Sequence, residues 1–272
     1  MDHSKSTIGF IGGGNMARAL LAGLLRAGHA PAALRIADPD PAQHERLREL
    51  SPELGVSADN VAVTAAAEVI VLAVKPQVLA AVARAMAPRA GQLVVSVAAG
   101  VTLPTLENWL GAGTPCVRVM PNQPALVGAG MSVLCATPSV SDAQREQAGY
   151  LAGAGGATAW VDDEGQMDAV TAVSGSGPAY FYLLMEILED TARDMGIAPD
   201  IARLLAVQTA FGAGMTARET GTPPAELRQM VTSPGGTTQA ALESLESGDV
   251  RRLFATALEA ARRRSIELGS GK

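Results

Sequence analysis

The run Thr7-Ile8-Gly9-Phe10-Ile11-Gly12-Gly13-Gly14-Asn15-Met16-Ala17 passes from five β-forming residues through three glycines into ARALLAGLLRAG, which has helical apolar spacing. A strand that ends in G-x-G-x-x-A and opens at once into a helix has a mechanical reason for each small residue. Gly12 permits the tight turn, Gly14 lets a pyrophosphate approach the backbone, and Ala17 lets the helix lie close on the strand. The start of the helix then offers N–H groups to phosphate oxygens. This stretch predicts a strand, turn and helix built to hold a dinucleotide.

Working outward, the apolar runs LRIA (34–37), VIVLAV (69–74), QLVVSV (92–97), CVRVM (116–120) and MSVLC (131–135) alternate with helical segments. Most are continuous rather than alternating, which is what strands need when helices cover both faces of a sheet. Residues 1–163 therefore read as a Rossmann-type, doubly wound, mainly parallel α/β domain, with the last strand or two antiparallel. After Asp162-Asp163 the strand signals stop. Pro178–Gly196, Asp200–Arg218, Pro224–Val231, Thr238–Leu245 and Asp249–Leu268 are predicted helices, with Met195-Gly196 as a stop, Pro199 and Pro223-Pro224 in first turns and Asp249 as an N-cap. Residues 164–272 read as an all-helical domain. The stripe Leu183, Leu184, Ile187 and Leu188, continued by Leu204, Leu205, Val207 and Phe211, is either a core within one chain or a face buried between copies. Small residues such as Ala202, Ala206, Ala210 and Gly214 favour the second, a homodimer or a higher homo-oligomer built from dimers.

Composition narrows the function. With 272 residues, 48% of them apolar, the chain can bury a sizeable core, and disorder is excluded. A net charge of −6 with scattered basic residues argues against nucleic acid as a partner. No apolar run approaches the ~20 residues of a membrane span, and no leader signal is read, so a cytoplasmic protein away from membranes is expected. Cys116 and Cys135 lie in apolar runs without metal-ligand spacing and read as buried free thiols, whereas His3, His29 and His44 read as surface residues. No metal site and no acid–base pair is evident.

Further candidates fall at strand ends. Asp38 closes the second strand about 20 residues beyond the glycines, where a carboxylate commonly accepts from ribose hydroxyls; it is alternatively a turn residue in Ala37-Asp38-Pro39-Asp40. A carboxylate there repels a 2′-phosphate and leans towards NAD. Ala73-Val74-Lys75-Pro76 and Ala98-Ala99-Gly100 follow the next strands at the edge where open α/β sheets hold ligands. Arg118, Met120, Pro121 and Asn122 are expected at that same edge.

The motifs IGFIGGGNMA, AVKPQ, SVAAG, RVMPNQPA, DAVTAVSGSGPAYF and VTSPGGTT stand in an order and spacing that resembles the pyrroline-5-carboxylate reductases, from about Thr7 to Leu268. The resemblance implies reduction of a cyclic imine, 1-pyrroline-5-carboxylate, by a nicotinamide cofactor. It implies that Ile11, Gly12, Gly13, Gly14, Asn15 and Met16, with Asn60, Ala73, Val74, Lys75, Pro76, Ala98, Ala99 and Gly100, bind that cofactor. Val231, Ser233, Gly235, Gly236, Thr237 and Thr238 would hold the substrate. Family members usually prefer NADPH and carry a polar residue where Asp38 stands, so NADPH is expected, with NADH as the alternative.

A glycine turn opening into a helix suits this substrate. The N–H groups of Gly236, Thr237 and Thr238 with the Ser233 hydroxyl make a carboxylate site without arginine, and the Thr238 hydroxyl is the candidate catalytic partner of the ring nitrogen. The alternative is an ordinary capped turn between two helices. Ser174-Gly175-Ser176-Gly177-Pro178 is likewise either a helix start or pocket lining. The nearest rival, a β-hydroxyacid dehydrogenase, needs an acid–base group, typically a lysine on the long helix, and Pro178 to Met195 has none. A non-catalytic NAD(P) sensor has no reason to keep the second anion site.

Overall fold

The computed structural model describes residues 3–269. Its strands are β1 (Ile8–Ile11), β2 (Leu34–Ala37), β3 (Gly55–Ser57), β4 (Val69–Leu72), β5 (Leu93–Ser96), β6 (Cys116–Met120), β7 (Gly130–Ala136) and β8 (Gly156–Trp160). They form one eight-stranded sheet in the order β3-β2-β1-β4-β5-β6-β7-β8. Pairing is parallel through β6; β7 then runs antiparallel to β6, and β8 parallel to β7. The mainly parallel α/β reading and the reversed last strands are thus found. Two strands went unread, β3 and β8, and both lie at sheet edges. Gly55-Val56-Ser57 and Gly156-Ala157-Thr158-Ala159-Trp160 are largely unburied, so neither needs the apolar run that marks a central strand.

The helices are α1 (Asn15–Arg26), α2 (Pro41–Leu50), α3 (Asn60–Ala66), α4 (Pro76–Met86), α5 (Leu103–Leu110), α6 (Asp142–Gly153), α7 (Met167–Val170), α8 (Gly177–Asp194), α9 (Pro199–Thr220), α10 (Pro224–Met230), α11 (Thr237–Ser247) and α12 (Val250–Gly269). Several of them are started by their own sequence. Asp40 accepts from the Ala42 amide, Asp59 from those of Val61 and Ala62, Thr102 from that of Thr105, and Ser141 with Gln144 closes a reciprocal capping box. The period-two geometry of the strands divides the core. Ile8, Phe10, Val69, Val71, Leu93 and Val95 pack with Leu20, Leu21, Leu24 and Leu151 of α1 and α6, while Ile11, Ile70, Leu72 and Val94 pack with Leu79 and Leu106 of α4 and α5.

Packing divides the chain into two compact units: residues up to Gly175 together with those from Ala261 on, and Ser176–Ala260. The strand grammar ends near 163, but α7 and the π-turn Thr171–Gly175 after it pack with the first unit. Met167 is buried in its core, and the Asn122 side chain donates to the Ser174 carbonyl (3.1 Å) and accepts from the Met131 amide (2.9 Å). The end of α12 belongs to the first unit too, where the buried Ser265 hydroxyl donates to Asp168 (2.6 Å).

In the second unit α8 and α9 pack on one another, with Ala202 and Ala206 buried. The large apolar residues of these helices remain outside: Leu188 is 52% exposed, Leu204 60% and Phe211 57%. A single chain therefore does not bury the stripe in a core of its own. Asp249, expected to cap α12, lies just before it with φ +59° and pairs its carboxylate with Arg252.

Other expectations are corrected by distant partners. His29 is buried rather than superficial, its ring nitrogens on the Tyr150 hydroxyl and the Ser6 carbonyl at 3.1 Å each. Arg118 lies within β6 rather than at the ligand edge, its guanidinium donating to Glu164 at 2.9 Å; the same carboxylate oxygen accepts from the Leu103 amide at the start of α5 (2.8 Å). Cys116 and Cys135 are buried free thiols, and burial, reinforced by Glu107, pushes the Cys116 pKa up to about 12. Among the described residues no helix is long and apolar enough to cross a membrane.

Removing one member of a buried ion pair strands the other. Glu164→Ala is expected to cost roughly 3 kcal/mol in urea unfolding, the low end for such pairs, because Glu164 stays 21% exposed. A loss below about 1 kcal/mol would put the pair in the class of surface bridges.

Candidate active site

From β1 the chain winds through β2 and β3 on one side, then through β4, β5 and β6 on the other, so the winding reverses between β1 and β4. In open α/β sheets a crevice forms outside the carboxyl ends of the strands at such a point. Gly12–Gly14 follow β1 and Ala73–Pro76 follow β4, on either side of the reversal. Asp38 follows β2, Asn60 opens α3 beyond β3, and Ala98–Gly100 follow β5. The fold thus gathers the candidate cofactor residues along one sheet edge, where Leu268 backs Gly100. Asn15, Lys75, Pro76 and Ala99 are exposed, Met16, Asn60, Ala73 and Val74 half-buried, and Ile11 and Ala98 buried.

The glycines differ in what demands them. Gly12 has φ +99°, and a Cβ there would stand 2.8 Å from the Ala73 carbonyl oxygen. The chain itself requires that glycine. Gly14 has an ordinary φ of −70°, and nothing lies within 4 Å of the position a Cβ would take. Among the described residues no contact explains its missing side chain, whereas a pyrophosphate lying against this backbone would. Gly14 is also the N-cap of α1, and no side chain caps that helix, so its first amides are left for an outside acceptor such as a phosphate. The residues present therefore fit a dinucleotide.

Asp38 is more heavily engaged than either sequence reading supposes. One carboxylate oxygen accepts from the Gly13 amide (2.7 Å) and the other from the Asp40 amide (2.9 Å). Its own amide donates to the Ser57 carbonyl (3.0 Å), and its carbonyl accepts from the His44 ring (2.6 Å). The residue serves its turn and at the same time staples the glycine loop to the end of β2.

In the second unit the segment Val231–Gly236 joins α10 to α11. Ser233-Pro234-Gly235-Gly236 closes on itself, the Gly236 amide donating to the Ser233 carbonyl (3.0 Å) with Gly235 at φ +70°. Proline second and a left-handed glycine third mark a type II turn. One expectation fails here: the Gly236 amide is spent inside the turn and is not a free donor. Gly236 is the N-cap of α11, which has no side-chain cap and no acidic residue in its first turn, so Thr237 and Thr238 are its first two residues. Thr238 is therefore not the capping residue. It is half-buried, and among the described residues no hydrogen bond engages its hydroxyl, whereas the Thr232 hydroxyl is spent on the Arg228 carbonyl (2.6 Å).

Comparison with known proteins bears on these two turns together. Over 268 residues and 97% of each chain, this sequence is 47% identical to the pyrroline-5-carboxylate reductase of Pseudomonas aeruginosa. The chain belongs to the pyrroline-5-carboxylate reductase family. A family model described as pyrroline-5-carboxylate reductase dimerisation matches residues 164–268, and one described as NADP oxidoreductase, coenzyme F420-dependent, matches residues 7–100. The solved pyrroline-5-carboxylate reductase of Coxiella burnetii superposes with a TM-score of 0.92 at 41% identity, covering 97% of this chain and 98% of that one. The Plasmodium falciparum pyrroline carboxylate reductase, solved with NADP bound, gives 0.86 at 29% identity, covering 98% of this chain and 99% of that one. The dimerisation match spans the helices that carry the exposed stripe, and the NADP oxidoreductase match spans the glycine loop.

Gly14→Val tests the loop. The variant is expected to keep its fold, because a Cβ there meets nothing within 4 Å, with a melting temperature only slightly lowered by the poorer N-cap, while dinucleotide affinity falls at least ~100-fold through collision with the pyrophosphate. Unchanged affinity in a fluorescence titration would remove the loop from the site.

Proposed function

We propose that this protein reduces 1-pyrroline-5-carboxylate to L-proline in the cytoplasm, as a homodimer or a higher homo-oligomer built from dimers, with NADPH as hydride donor and NADH as the alternative. The observation that carries the reading is the start of α11, where a glycine N-cap leaves the amides of Thr237 and Thr238 open beside a free threonine hydroxyl. Such a start recognises a small carboxylate without arginine. Thr237 and Thr238 bind the imine carboxylate through their amides, and the Ser233 hydroxyl adds a third donor. The Thr238 hydroxyl meets the ring nitrogen and so orients the imine carbon.

When bound, the nicotinamide supplies the hydride. The chain's own residues have little proton chemistry to do, because a protonated imine is already electrophilic; they contribute position and a hydrogen bond at nitrogen. That accounts for the absence of lysine from α8. Asn60 serves the adenosine phosphate of NADPH, and Lys75 in the loop after β4 a ribose or phosphate. Asp38 would limit that preference, since a carboxylate at the end of β2 would repel a 2′-phosphate bound there.

Two sets of variants test these roles. Asp38→Ser is expected to raise the NADPH to NADH ratio of kcat/KM by roughly 5- to 30-fold, the equivalent of 1–2 kcal/mol of relieved repulsion in a partly solvated site; a fixed ratio would leave Asp38 as a loop staple alone. Thr238→Ala is expected to lower kcat/KM for the imine by roughly 10- to 100-fold with cofactor affinity barely moved, and Thr238→Ser to restore most of it. Full turnover in Thr238→Ala would contradict the assignment.

A further inference from the structure

We propose that Gln239 is a positioning residue for the substrate carboxylate, holding the turn that aims the Thr237 and Thr238 amides; this rests on the function proposed above. Gln239 is the third residue of α11, and its carboxamide oxygen accepts from the Gly235 amide at 2.7 Å. Its Nε2 donates to Glu243 one turn on (2.8 Å), which fixes which end of the carboxamide faces the turn. A glutamine at this helix position commonly completes a capping box, in which the N-cap side chain reciprocates by taking an early helix amide. Here the N-cap Gly236 has no side chain and its own amide is taken by the Ser233 carbonyl, so neither half of the box is built, and Gln239 reaches one residue further back, to Gly235. The turn is held from the helix side, and the amides a serine or threonine cap would consume stay open for an anion.

The geometry of the turn makes that hold necessary. Gly235 sits at φ +70°, a region that glycine enters and leaves readily, and the Ser233–Gly236 bond alone leaves its amide unclaimed. Capture of that amide by Gln239 fixes Gly235, and with it the direction in which Gly236 leads into α11. The residue type matters as well. A glutamate at 239 could accept the same bond, but it would bring a second negative charge beside a site for a carboxylate; glutamine accepts while remaining neutral.

Gln239→Ala and Gln239→Glu separate the two properties, with exchange of the Gly235 amide in the cofactor-free protein and steady-state kinetics as readouts. In Gln239→Ala, Gly235 exchange should rise about 10-fold and KM for 1-pyrroline-5-carboxylate about 5- to 10-fold, with kcat and the NADPH KM within about twofold. In Gln239→Glu, made together with Glu243→Gln so that the new carboxylate meets a donor and not a second carboxylate, Gly235 should stay protected while the imine KM rises at least as far, an increase that shrinks as salt is added. A raised KM without faster exchange in Gln239→Ala would overturn the proposal, as would faster exchange with an unchanged KM, which describes a structural cap alone. A wild-type protein that does not reduce the imine would defeat the proposed function instead, and the exchange data would still report whether Gln239 holds the turn.

Discussion

Gly12 holds φ at +99° between neighbouring strands, its amide on the Ala37 carbonyl at 2.8 Å and the Ala73 peptide where a Cβ would otherwise stand. Three strand ends are tied at that one residue, because no side chain is there to separate them. The sheet on either side follows from the apolar runs, but the direction in which α1 leaves it follows from this turn. Asp38 extends the same tie to the next residue by taking the Gly13 amide. The cofactor edge is therefore a joint of the fold as well as a binding surface, and its glycines answer to two different demands.

A common device appears at the two turns assigned to ligands. Helices α2, α3, α5 and α6 begin on Asp, Asp, Thr and Ser, whose side chains satisfy early amides. Helices α1 and α11 begin on Gly14 and Gly236, with no side-chain cap and no acidic residue in the first turn. A capped helix start adds stability, whereas an uncapped one keeps its partial positive charge for an anion. Pyrophosphate at one and a small carboxylate at the other, as proposed, would demand the same local chemistry.

How much of this was legible in the sequence depends on the range of the interaction. Central strands such as Val69–Leu72, buried on both faces, showed as continuous apolar runs, and the strand, glycine and helix succession around Gly12–Ala17 carried its own meaning. Edge strands β3 and β8 escaped because light burial leaves no such run. Arg118 with Glu164, Asp168 with Ser265 and His29 with Tyr150 escaped for another reason: each pair is distant in sequence and leaves no spacing signal. The apolar stripe on α8 and α9 was visible as composition, but whether one chain buries it was settled only by its exposure. Around Thr238 the sequence located the turn correctly yet overcounted its donors, since the bond closing Ser233–Gly236 depends on backbone geometry. Gln239 went unread because its role depends on that same closure.

Two helix starts with a glycine N-cap divide the work in the proposed function, α1 taking the dinucleotide and α11 the imine's carboxylate. Backbone amide shifts of labelled full-length protein test it directly, first with NADPH alone and then with L-proline added as the product. NADPH is expected to move the amides of Gly13 to Met16 and Ala98 to Gly100, and proline to move a separate set centred on Thr237 and Thr238. Proline shifts that spare Thr237 and Thr238 while clustering elsewhere would contradict it.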